Sequence, residues 1–193
     1  LQLHGVEIDP LMVEVGNRFF GADKLPIDIT VADGRVFLQQ SSAKYDFVMV
    51  DVYRDELYIP FHLATKEFFQ LVASRLTPKG SMVMNIATVS KNSELLTLIK
   101  NTLASAFPFV YEHRVAHSYN SLLFAFQEEP DFRSVDLSKY SLELRGLLQD
   151  IASLSDRISL REDGSNARKP SFSVNRVGED TGVHFAGIPL GHE

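Results

Sequence analysis

Apolar residues in the first two thirds of the chain come in short blocks that switch between two periodicities. Leu1 to Ile8 is extended and apolar and ends on Asp9-Pro10, where a proline suited to a first helical turn opens a helix over Leu11 to Phe20. Ile27, Ile29 and Val31 alternate as a strand does, and after Asp33-Gly34 the stretch Arg35 to Gln40 predicts a short helix. Tyr45 to Val50 is an almost continuous apolar run closed by Asp51, the pattern of a strand covered on both faces in a parallel sheet. From His62 to Leu76 the spacing of Leu63, Phe68, Leu71, Val72 and Leu76 is helical, and Pro78-Lys79-Gly80 predicts the stop. Met82 to Ala87 predicts the next strand. Asn92 or Ser93 can cap a helix reaching Ala106, with Leu95, Leu96, Ile99 and Leu103 on one face. Phe109 to Val115 and Leu122 to Phe126 then predict two strands joined near Ser118 to Ser121, hence an antiparallel pair.

Strands alternating with helices predict an α/β fold: a doubly wound, mostly parallel, Rossmann-like sheet with that antiparallel pair at its C-terminal end. Such a sheet binds its ligand at the carboxyl ends of the strands. The expected domain spans residues 1–127. A helical extension is expected over 128–160, with Leu142 to Leu154 as an amphipathic helix, and a disordered tail over 161–193, where Gly, Pro, Ser and charge mix with few apolar anchors.

Composition narrows the function classes. The chain has 193 residues, 45% hydrophobic and 23% charged, enough for one globular core with a remainder. Nineteen Lys+Arg against twenty-five Asp+Glu give a net charge of −6, the wrong sign for gripping phosphates, so no nucleic-acid partner is expected. Without cysteine there is no disulfide framework, thiolate zinc site or cysteine nucleophile. No apolar run approaches the ~18 to 20 residues of a spanning helix, and no basic segment precedes an apolar core at the start. The expectation is a cytoplasmic protein with no membrane partner.

Glu7, Asp9, Asp33 and Asp51 all fall where a predicted strand runs out, so a parallel sheet gathers them on one rim. An acid after the second strand of a nucleotide-binding α/β fold suits ribose, since each carboxylate oxygen can accept from one hydroxyl; Glu7 or Asp9 fits that role. Asp9-Pro10 also reads as a helix cap, and Asp33-Gly34 as a turn. Asp51 is followed by a loop carrying Tyr53, Asp55, Glu56 and Tyr58, a set able to hold an amine and receive its proton, or simply a solvated loop. His62 opens a predicted helix, where capping or exposure is commoner than catalysis. His113 and His117 have near-ligand spacing but fall on a strand and a turn, so no metal is expected. Ser41-Ser42, Ser118 and Ser121 lack the Gly-x-Ser-x-Gly elbow of a serine hydrolase.

In order and spacing, Gly5-Val6-Glu7-Ile8-Asp9-Pro10, Ala32-Asp33-Gly34-Arg35, Tyr45 to Asp51 and Ile59 to Phe69 resemble the spermidine synthase family and its spermidine-synthase-like relatives, over roughly Leu1 to Phe126. The resemblance implies a class I S-adenosylmethionine-type fold. It implies that Glu7 binds the ribose hydroxyls, that Asp33 and Gly34 contact the adenine, that Asp51 is the catalytic aspartate, and that the protein pairs as a homodimer.

Two departures from the family pattern shape the expectations. The usual Asp-Ser-Ser-Asp is here Asp51-Val52-Tyr53-Arg54-Asp55, which sets a cation where the second acid belongs. At ~4 Å and an effective dielectric of ~20, one like charge opposes a polyamine by about 4 kcal/mol. The glycine-rich turn expected ~20 residues before the ribose acid has no room ahead of Glu7. The expectation is therefore an N-terminally truncated portion of a longer protein lacking the first strand, with backbone edges exposed in mid-sheet. The implied activity is aminopropyl transfer from decarboxylated S-adenosylmethionine to a small-molecule amine in polyamine biosynthesis, with Tyr53, Asp55 and Tyr58 holding the acceptor. The alternatives are methyl transfer from S-adenosylmethionine, for example to a protein lysine, and a noncatalytic interaction module.

Overall fold

The computed structural model describes residues 2–53, 59–87, 93–115, 117–131, 136–142 and 145. It begins with a parallel β-α-β unit: β1 (Leu3–Glu7), α1 (Pro10–Phe20) and β2 (Ile27–Val31). β1 and β2 run in register from Leu3 opposite Ile27 to Glu7 opposite Val31. The Asp9 side chain accepts from Leu11 N to start α1, with Pro10 inside the first turn where its missing N–H is not needed. Gly21 closes the helix at φ 67°, a left-handed conformation that glycine enters without a Cβ penalty.

After α2 (Gly34–Gln40) come β3 (Tyr45–Val50), a 3₁₀ turn at Phe61–Leu63, α3 (Lys66–Arg75), β4 (Leu76–Ala87), α4 (Glu94–Ala104), β5 (Phe109–Arg114) and β6 (Asn120–Phe126). Four strands form one sheet in the order β3-β4-β6-β5. β3 and β4 are parallel, while β6 lies antiparallel to both β4 and β5. The expected antiparallel pair is present. Its second strand lies between β4 and β5 and is antiparallel to both, so the sheet is less parallel than expected. Phe69, Val72, Met82, Ile99, Leu103 and Leu123 are wholly buried and center the core.

Three local readings change. The helix expected from His62 starts at Lys66 instead, because the Thr65 hydroxyl accepts from Phe68 N and caps it there. Pro78-Lys79-Gly80 does not close a helix; it lies in an irregular first part of β4, where the register jumps between Tyr45 opposite Leu76 and Phe47 opposite Ser81. β3 is not covered on both faces: Phe47 is 54% and Met49 60% exposed.

β3 also has an open edge among the described residues. β1 and β2 form a separate two-stranded sheet, and among the described residues no strand pairs β1 with β3. An apolar cleft lies between them, lined by His4 and Val6 from one sheet and Phe47, Val48, Met49 and Val50 from the other. Helix α2 bridges the two: Phe37 packs on the His4 ring at 4.8 Å, and Leu38 joins the core that holds Val50. Helix α1 has no buried residue, and Leu11, Met12, Phe19 and Phe20 are exposed.

No helix among the described residues is long and apolar enough to cross a membrane. The helix expected over Leu142 to Leu154 lies almost wholly outside the described residues, and the tail over 161–193 lies entirely outside them.

Candidate active site

Parallel pairing decides where the acids stand. Because β1 and β2 run the same way, Glu7 and Asp33 emerge at one end, and Ala32 N donates to Glu7 O at 2.9 Å to tie the two exits together. In the other sheet Val50 pairs with Met84, which sets Asp51 beside Asn85 at the ends of β3 and β4. Val6, Gly34, Val50 and Val52, the chain neighbours of Glu7, Asp33 and Asp51, all line the one cleft.

Each acid has a defined local role. Glu7 Oε1 accepts from Asp9 N at 2.9 Å, and Asp9 Oδ1 accepts from Leu11 N at 2.8 Å, so the cap of α1 also holds the Glu7 side chain. Asp33 caps α2: its Oδ1 accepts from Arg35 N at 2.9 Å and Val36 N at 3.0 Å, while its Oδ2 meets His62 Nε2 at 2.9 Å. Burial opposes the charge on Asp33, but the Val36 N–H, the His62 ring and the Arg35 N–H outweigh it and hold the carboxyl below its ordinary range. Arg35 reaches back to donate to His62 O at 2.9 Å, so the start of α2 and the turn at Phe61–Leu63 are clamped twice.

Asp51 is exposed, and Asn85 Nδ2 donates to its Oδ1 at 3.0 Å. The Tyr53 hydroxyl turns to β4: it donates to Asn85 O at 2.9 Å and accepts from Ala87 N at 2.6 Å. Burial pushes this hydroxyl's pKa up, the Ala87 N–H pulls against that, and the Asp51 charge adds to the rise. Asp55 and Tyr58 lie outside the described residues, as does Arg54. Sequence reasoning missed Asn85, whose only signal is an amide within the apolar run Met82 to Ala87, and it left His62 without its partner Asp33. Among the described residues no three His, Cys, Asp or Glu groups cluster as metal ligands.

Residues 2–137 match the model of the spermine/spermidine synthase domain family. A probable polyamine aminopropyl transferase of Bifidobacterium longum is 36% identical over 108 residues, 55% of this chain. Human methyltransferase-like protein 13, solved with SAH, is 25% identical with a TM-score of 0.58, covering 86% of this chain and 75% of that one. A spermidine synthase solved with the transition-state analogue AdoDATO shares the fold at 19% identity and a TM-score of 0.63, over 80% of this chain and 58% of that one. A 60-residue stretch, 31% of the chain, is also 65% identical to an alkyl hydroperoxide reductase component of Pseudomonas aeruginosa. The chain spans 24% of the length of the aminopropyl transferase and 12% of that of the reductase component.

Proposed function

Because the chain belongs to the spermine/spermidine synthase domain family, we propose that it supplies the nucleoside and acceptor side of an aminopropyltransferase site, with Asp51 as the group that takes the acceptor's proton. The observation that carries this reading is that Val6, Gly34, Val50 and Val52, the chain neighbours of Glu7, Asp33 and Asp51, line one cleft, with the three acids themselves outside its lining.

The residues suit an adenosyl group. Glu7 offers carboxylate oxygen at the end of β1 for ribose hydroxyls. A Cβ at Gly34 would meet nothing within 4 Å, which leaves the backbone open to a flat ring beside Asp33. Decarboxylated S-adenosylmethionine, when bound, would supply an aminopropyl carbon made electrophilic by its sulfonium, the C–S bond breaking as the amine bonds to that carbon and methylthioadenosine leaving. The chain's own contribution is positioning and proton transfer. Asp51 accepts or relays the ammonium proton, so that the acceptor nitrogen can present its lone pair. Orientation of that nitrogen supplies most of the acceleration. The Tyr53 hydroxyl, engaged with Asn85 and Ala87, braces this end of the sheet while its ring packs against the core, so in this reading Tyr53 shapes the acceptor end of the site. Asp55 and Tyr58 complete the acceptor-holding set in this reading, and a second copy of the chain is the proposed partner.

Methyl transfer from S-adenosylmethionine is the second reading, favoured by the likeness to the human methyltransferase-like protein. The test is transfer by the chain to a panel of diamines and to a lysine-rich protein, with the two donors in competition. Aminopropylated diamine supports the proposal. Preference for the carboxylated donor with methylated lysine overturns it in favour of methyl transfer, and binding of neither donor in calorimetry leaves the noncatalytic module.

A further inference from the structure

Resting on the reading of Asp51 above, we propose that Asn85 is the positioning residue of this site: its amide fixes the Asp51 carboxylate in one rotamer, with one oxygen held and the other presented to the acceptor amine. The donor is Asn85 Nδ2, 3.0 Å from Asp51 Oδ1. Asn85 is itself immobilised, since it sits in β4 between the buried Met84 and Ile86 and its carbonyl accepts from the Tyr53 hydroxyl. The other end of the amide shows what this arrangement demands. Among the described residues, Asn85 Oδ1 is buried and has no hydrogen-bond partner. An orphaned buried acceptor is unfavourable. Turning the amide over would not relieve it, because the oxygen would then face the Asp51 carboxylate and the NH₂ group would be buried instead. The pairing with Asp51 therefore sets the amide's orientation, and the unpartnered oxygen is its consequence. An apolar residue of similar shape would remove the orphan, and Asn85 shares its strand face with Val83 and Ala87, so packing alone does not call for an amide here.

The experiment compares the full chain with Asn85→Leu, and with Asn85→Val as a second variant should the first fail to fold. Three-bond couplings across the Asp51 Cα–Cβ bond read its rotamer without any need for activity. The wild type is expected to show a single rotamer and the variants an average over several, with a thermal midpoint equal to or above that of wild type. In aminopropyl transfer, kcat is expected to fall about 10- to 100-fold while KM for the nucleoside donor stays unchanged. A single Asp51 rotamer surviving in both variants, averaging already present in the wild type, or a lowered midpoint with unchanged kcat overturns the proposal. If the couplings change as expected but neither protein transfers an aminopropyl group, Asn85 still positions Asp51 and it is the functional reading that fails.

Discussion

His62 Nε2 lies 2.9 Å from Asp33 Oδ2, which joins the turn leading into α3 to the residue that caps α2, 29 positions earlier. Asp33 is thus shared between two tasks, one oxygen for the helix N–H groups and one for the imidazole. Replacing it by Ala removes both and is expected to destabilise the chain by about 1 to 2 kcal/mol in urea unfolding. Asn keeps a capping oxygen, so Asp33→Asn is expected to lose less.

The same pair fixes the sign of an acid effect. The folded-state pKa of Asp33 is depressed, so its contribution is complete above the unfolded-state value and lost as pH falls through the folded one. Wild-type stability is therefore expected to decline below about pH 4 more steeply than that of Asp33→Asn. Parallel acid limbs in urea-midpoint titrations of the two proteins would show that the carboxylate is not the group responsible.

Tyr53→Phe isolates one hydroxyl. The ring remains, but Asn85 O and Ala87 N lose their partner at the end of β4. Thermal and urea unfolding are expected to report a loss of about 1 to 3 kcal/mol. A neutral substitution would mean that water replaces the hydroxyl and that Tyr53 does not brace the strand.

Among the described residues, Gly80 is the glycine against which backbone is most tightly packed. A Cβ there would stand 2.8 Å from Tyr45 O and 3.0 Å from both Thr77 N and Thr77 O. None of these atoms belongs to a side chain that can swing away, so Gly80→Ala is expected to distort the β3–β4 irregularity and destabilise by about 1 to 3 kcal/mol. Gly34→Ala, which meets nothing, is the control and is expected to leave the unfolding free energy from urea titration within about 0.5 kcal/mol of wild type.

What the sequence revealed, and what it hid, divides along the range of the forces involved. Ile27–Val31 and Tyr45–Val50 were legible as strands because alternation and an unbroken apolar run are local patterns. So was the position of Glu7 at the end of β1 and of Asp51 directly after β3. The start of α3 was not, because a hydroxyl cap at Thr65 outweighs the apolar spacing that begins at Leu63. Nor was the exposure of Phe47 and Met49, since an apolar run does not say whether a neighbour covers it. Asn85 could not be paired with Asp51, nor His62 with Asp33, without the register of β3 on β4 and the return of the chain past α2. Those contacts span 34 and 29 positions.

The proposed function requires a single nucleoside site at the exits of β1, β2 and β3. Its most direct test is a titration of the isotope-labelled chain with methylthioadenosine, followed by amide chemical shifts. The largest changes are expected to fall together on Val6, Gly34, Val50 and Val52. Changes scattered elsewhere, or none at millimolar nucleoside, would contradict a single shared site.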